Sequence, residues 1–190
     1  NQKGIFLLYA NNNTITNNVI KFGSGFSGTY GIQLEFGSHN IFSLNTIESY
    51  GIGIDTSGGG SALTTNNQIT TNTLNANGQG MNLHGSTSNT VVSTNTLDGN
   101  SIGINLAVTT NNQINDNSIS NSADKGLEIG GPSSQNALYR NNFLLNAKSA
   151  LDMGTSNLWN STEAGNYYDN YDVEGDGCLD TDFDNFCDDP

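Results

Sequence analysis

Apolar residues in this chain fall in a short, repeated pattern. The skeleton is Asn, any, apolar, any, any, Asn, any, apolar. It reads Asn13-Ile15-Asn18-Ile20, Asn40-Phe42-Asn45-Ile47, Asn67-Ile69-Asn72-Leu74, Thr90-Val92-Asn95-Leu97, Asn112-Ile114-Asn117-Ile119 and Asn136-Leu138-Asn141-Phe143. Its second asparagine advances by 27, 27, 23, 22 and 24 residues. Between the copies stands Gly-apolar-any-apolar, starting at Gly4, Gly31, Gly51, Gly80, Gly103 and Gly126, with a decayed copy at Ala150. The apolar residues alternate with period two, and most are Ile, Leu or Val, so the segments predict short strands. Asn, Gly, Ser and Thr separate them as turn residues. A period in the twenties built of strands predicts a solenoid. The expectation is a single-stranded right-handed parallel β-helix of about seven coils, with stacked asparagines forming ladders in its turns. Met81 and Met153 fall in inward apolar slots of this scheme.

Composition agrees. Hydrophobic residues make up 34% of 190, low for a globular fold but sufficient for a thin core column. Five basic residues leave no cationic surface for nucleic acid. No apolar run reaches the ~20 residues of a membrane span. Nothing caps the coil that begins at Gly4, so its unpaired strand edges predict preceding coils or end-to-end self-association.

Charge divides the chain. Residues 1–162 hold eight acids and five bases, whereas residues 163–190 hold ten acids and no base. This predicts a β-helix over 1–162, followed by an aromatic cap and an acidic tail over 163–190. In the tail, Asp172, Glu174, Asp176 and Asp180 follow calcium-loop spacing, with Gly177 at the turn and the Cys178 carbonyl as a further ligand. The spacing repeats as Asp180, Asp182, Asp184 and Asp188, with the Phe186 carbonyl. Hard oxygen donors of this kind select Ca²⁺. The two cysteines, Cys178 and Cys187, bracket the second loop. A disulfide between them implies an oxidising, extracellular setting.

A second candidate site lies on the outward positions of the Gly-apolar strands. Counted from each glycine, Glu35, Asp55 and His84 stack on consecutive coils, with Gln33 and Asn82 beside them and Tyr30 and Tyr50 nearby. Carboxylates beside a histidine suit acid–base work, and tyrosines suit stacking on a sugar. No Ser-His-Asp arrangement is visible in the sequence.

The coils, together with Gly165-Asn166-Tyr167-Tyr168-Asp169-Asn170-Tyr171, resemble the pectin-lyase-like right-handed β-helices, and more narrowly the NosD-type family. Residues 172–190 resemble a type 3 thrombospondin repeat. The resemblance implies carbohydrate binding or processing, surface scaffolding or copper delivery. Copper would need donors drawn from two histidines and two methionines far apart in sequence. Pectate-lyase chemistry would need an arginine beside the acidic stack, where none stands. The reading is therefore a non-catalytic, extracellular surface module, a spacer, adhesin or envelope component stabilised by calcium, with polysaccharide or other surface proteins as partners. The alternative is a polysaccharide-binding domain or a polysaccharide lyase, epimerase or glycoside hydrolase using Glu35, Asp55 and His84.

Overall fold

The computed structural model describes residues 2–21, 23, 27–59, 63–162 and 164–169. The chain winds into a parallel β-helix with three faces. The longest strands form one seven-stranded sheet: Lys3–Leu8, Tyr30–Glu35, Ile52–Ser57, Gln79–His84, Ile102–Ala107, Lys125–Gly130 and Ala150–Asp152. A six-stranded sheet runs from Thr14–Thr16 to Ala137–Tyr139, and another seven-stranded sheet from Val19–Ile20 to Tyr167–Tyr168. Every pairing between these strands is parallel and joins one coil to the next, as in Phe42↔Ile69 and Leu74↔Leu97.

The period-two pattern builds the core. Ile32, Ile54, Met81, Ile104 and Leu127 stack in register, all fully buried. Phe42, Ile69, Val92, Ile114 and Leu138 form a second column. Ile47, Leu74, Leu97, Ile119 and Phe143 form a third. At the C-terminal end the Tyr168 ring stacks on Phe143, with centroids 5.0 Å apart and an interplanar angle of 6°.

The asparagines form ladders. The Oδ1 of Asn45 accepts from both the backbone N–H and the Nδ2 of Asn18, and the pattern repeats through Asn72, Asn95, Asn117, Asn141 and Asn166. A second ladder links Asn13, Asn40 and Asn67, then Asn112, Asn136 and Asn157, with Thr90 in the intervening slot. A third, not evident from the repeat, joins Tyr50, Asn77 and Asn100, and again Ser122 and Asn146. Except before Asn166, the left-handed turn conformation falls on the residue before the ladder amide, for example His39 (φ 57), Leu44 (φ 57) and Thr94 (φ 58), rather than on the ladder asparagine. That conformation costs a side-chain-bearing residue roughly 1–2 kcal/mol, and the paired amides offset it. Because Asn166 and Tyr168 belong to the last rung, the coils continue past residue 162 into the stretch expected to be a cap.

Two positions differ from the sequence reading. The seventh coil pairs Leu127 with Ala150 and Ile129 with Asp152, so Ser149 rather than Ala150 follows the glycine column. Met153 consequently lies outside the core at 55% exposure, whereas Met81 is buried. The third coil is also displaced, by two residues rather than one, and this decides the layout of the candidate site.

Candidate functional site

In the third coil the column glycine is Gly53, not Gly51. A Cβ at Gly31 would lie 2.6 Å from the Gly53 carbonyl oxygen, and one at Gly53 would lie 2.5 Å from that of Gly80. Only a glycine fits this close approach. The slip is two residues, so every side chain keeps its face but moves one outward position along. Asp55 therefore pairs with Gln33 and Asn82, while Glu35 and His84 each pair with Ser57. The expected Glu35–Asp55–His84 stack does not form. The structure brings Asp55 and His84 together and leaves Glu35 separated from His84 by the Ser57 strand.

Asp55 is the centre of the cluster. It points outward yet is only 1% exposed. Gln33 Nε2 donates to its Oδ2 at 3.1 Å, and Asn82 Nδ2 to its Oδ1 at 2.9 Å. His84 Nε2 lies 3.2 Å from the same Oδ1. Asn105 Nδ2 donates to Asn82 Oδ1 at 2.8 Å, so the polar track continues along the axis. Three donors satisfy a carboxylate whose burial without partners would be costly. The Gln33 amide is oriented by this contact, since its oxygen facing Asp55 would oppose two acceptors. That oxygen is buried without a hydrogen-bond partner.

Two titrations are moved by this arrangement. The hydrogen bond to Asp55 raises the His84 pKa above its ordinary value; burial opposes this, and the charges of Asp55 and Glu35 add to it. Burial raises the Tyr30 pKa, and the same two carboxylates reinforce the shift. Tyr30 thus belongs to the cluster. Tyr50 does not: it is 3% exposed, its backbone N–H occupies a ladder slot, and its ring packs in the core against Gly23. It is removed from the sugar-contacting set because the tyrosine before Gly51 belongs to a turn, not to the displaced strand.

The rim of the face carries aromatics that the repeat did not single out. Tyr9 and Phe36 stack with centroids 5.1 Å apart and an interplanar angle of 24°. Both are in the left-handed region, with φ of 50 and 56. The column they occupy continues with Gly58 and Gly85. Bulky rings where the next two coils use glycine are the sequence signal for this rim. On the first coil, the Lys3 ammonium lies 3.6 Å from the Phe6 ring centroid.

The fold and the outward polar cluster define an all-β, right-handed parallel β-helix with a polar cluster on its long-strand face. The model of the NosD family, described as periplasmic copper-binding protein, matches residues 1–173, and the chain belongs to this family. Among solved structures it is similar to two variants of the periplasmic alginate epimerase AlgG, with TM-scores of 0.61 and 0.63 and identities of 20% and 19%. Each alignment covers 79% of this chain but 35% of the other, and the likeness shows the fold. A comparison with curated proteins gives no match.

Copper tests the donor set. His84 commits its Nε2 to Asp55, His39 stands in a turn before Asn40, and Met81 is sealed in the core. Among the described residues no group of three or more His, Cys, Asp or Glu side chains comes together. This set does not fit a copper centre. The calcium ligands expected between Asp172 and Asp188, and the pair Cys178 and Cys187, lie outside the described residues.

Proposed function

We propose that this protein is a periplasmic or extracellular β-helix module that binds polysaccharide along the outward face of its long-strand sheet. The observation that carries the reading is the convergence of Gln33, Asn82 and His84 on buried Asp55, with the Tyr9–Phe36 stack just beyond the ends of strands of the same sheet. A face serving only as a wall needs neither a desolvated carboxylate nor a stacked pair of aromatic rings at its edge, and a buried carboxylate fixed by several donors is common at functional sites. Aromatic faces flanked by fixed donors and acceptors suit sugars, whose rings are apolar on their faces and hydroxylated at their edges. Tyr30, Glu35 and His84 supply the hydrogen-bonding edge, while Gln33 and Asn82 fix Asp55. Membership of a family described as periplasmic supports the location, as does the sequence signature of a disulfide between Cys178 and Cys187.

Lyase, epimerase and glycoside hydrolase readings have less support. Glu35 and Asp55 do not flank a common space as a carboxylate pair would, because Asp55 is buried beneath three donors. The residues beside Asp55 include no arginine or lysine to neutralise a uronate. Calcium remains the metal proposed for the tail, on the donor spacing of Asp172–Asp188 alone. A role as a rigid, calcium-stabilised spacer is compatible with glycan binding, and the unbroken Asn18–Asn166 ladder favours rigidity.

Affinity electrophoresis through gels containing neutral, acetylated or uronate polysaccharides tests the binding. Retardation by at least one class is expected. The Tyr9→Ala/Phe36→Ala double variant should weaken it by about tenfold, equivalent to roughly 1.4 kcal/mol. Unretarded migration in every gel would refute the reading.

A further inference from the structure

We propose that Ser57, His84 and Asp55 form an acyl-transfer site that hydrolyses esters, with acyl groups on sugar hydroxyls as the substrate class. This goes beyond glycan binding and rests on that reading only for the identity of the alcohol released. The three residues come from two neighbouring strands. Asp55 and Ser57 are alternate residues on Ile52–Ser57 and share its outward face. His84 is the register partner of Ser57 on the next strand, which parallel pairing places about 4.8 Å away. The imidazole reaches diagonally to Asp55, with Nε2 3.2 Å from Oδ1.

Asp55 and His84 are in contact, and Ser57 stands across from His84 in the register. Asp55 is buried and anchored by Gln33 and Asn82, so it holds the ring and balances the charge the ring acquires. It is a positioning residue. With Nε2 facing Asp55, Nδ1 is the nitrogen left to take a proton, and the His84 side chain is 39% exposed. Ser57 is half-buried at the strand end and directly precedes Gly58-Gly59. The arrangement was invisible in sequence because His84 lies one full coil beyond Ser57, and because the displaced third coil had put Asp55 in the place Ser57 holds.

The step balances without a co-reactant other than water. Ser57 Oγ forms a bond to the ester carbonyl carbon as His84 Nδ1 accepts the hydroxyl proton. The carbon–oxygen bond to the sugar breaks, and the sugar oxygen leaves with that proton. Water then adds to the acyl-serine, passing a proton to His84. The carboxylic acid departs, and Ser57 recovers its hydrogen. The titratable groups facing His84 are Asp55 and Glu35; the following strand offers Asn105 and Ala107, which do not titrate.

The test uses the full chain, a fluorophosphonate probe and p-nitrophenyl acetate. Peptide mass spectrometry should locate the phosphonyl adduct on Ser57, with none in Ser57→Ala. His84→Ala, a half-exposed position that leaves the core untouched, should slow labelling and ester hydrolysis by roughly two orders of magnitude or more, as loss of a triad member does. Asp55→Asn should slow both and move the acid limb of the pH–rate profile downward, because the hydrogen bond that raises His84 is altered. If Asp55→Asn fails to fold, the His84→Ala rates decide. No adduct at Ser57, or labelling unchanged in folded His84→Ala, would overturn the proposal. The probe is not a glycan, so labelling without polysaccharide retardation would overturn the binding reading alone.

Discussion

His84 Nε2 lies 3.2 Å from Asp55 Oδ1, and the carboxylate is buried while the imidazole is half-exposed. The contact makes stability depend on pH in a definite direction. The folded-state pKa of His84 is raised, so its contribution is complete below the unfolded value of about 6.5. It is lost as pH rises through the folded value. Melting temperature should therefore fall across the pH range just above 6.5, and His84→Gln should flatten that decline. A profile for His84→Gln parallel to that of the natural sequence would contradict the assignment.

The ladders make a second prediction. Asn72 accepts from the N–H and Nδ2 of Asn45 and donates to Asn95 Oδ1 and the Phe42 carbonyl. Asn72→Ala leaves buried groups on two coils without partners, each costing roughly 1–3 kcal/mol. Chemical denaturation should show a loss of about 3 kcal/mol. Thr90→Asn, which places an amide where its ladder has a hydroxyl, should add about 1 kcal/mol.

Gly53 separates the observed register from the one the repeat suggested. A Cβ there would meet the Gly80 carbonyl oxygen at 2.5 Å and Leu74 Cδ2 at 2.6 Å. Gly53→Ala should cost about 3 kcal/mol by overpacking. Gly165→Ala, where a Cβ meets nothing within 4 Å among the described residues, should stay within about 0.5 kcal/mol.

Metal binding should be confined to the acidic tail. Calorimetry should detect calcium uptake that Asp176→Asn with Asp180→Asn removes. Chelation should leave the melting of the coils unchanged, since the ladders and core columns that hold them are complete within residues 5–168. Copper uptake that survives Asp176→Asn with Asp180→Asn and is lost in His84→Ala would contradict this division.

The Asn18–Asn141 ladder and the apolar columns were legible because every coil must repeat them: an amide bonds its counterpart only at the same level of the turn. The third ladder was not, since Tyr50 and Ser122 interrupt its asparagines and a backbone N–H suffices at those rungs. The layout at Asp55 was hidden by the paired glycines Gly51 and Gly53. Both preserve the period-two alternation, and only the close approach to Gly80 distinguishes them. Tyr9 and Phe36 were passed over because they sit one residue beyond the strands, in turn positions where sequence favours no ring. The acid–histidine association was legible in kind, through outward polar positions on neighbouring coils, but not in its partners.

Hydrogen–deuterium exchange with and without a bound oligosaccharide, chosen from the class that retards the protein, tests the central claim most directly. The account predicts slowed exchange within 30–36, 52–59 and 79–85, the strands and turns that carry Tyr30, Phe36, Asp55, Ser57 and His84. Protection confined to the Thr14–Tyr139 or Val19–Tyr168 faces, with the long-strand face unchanged, would contradict it.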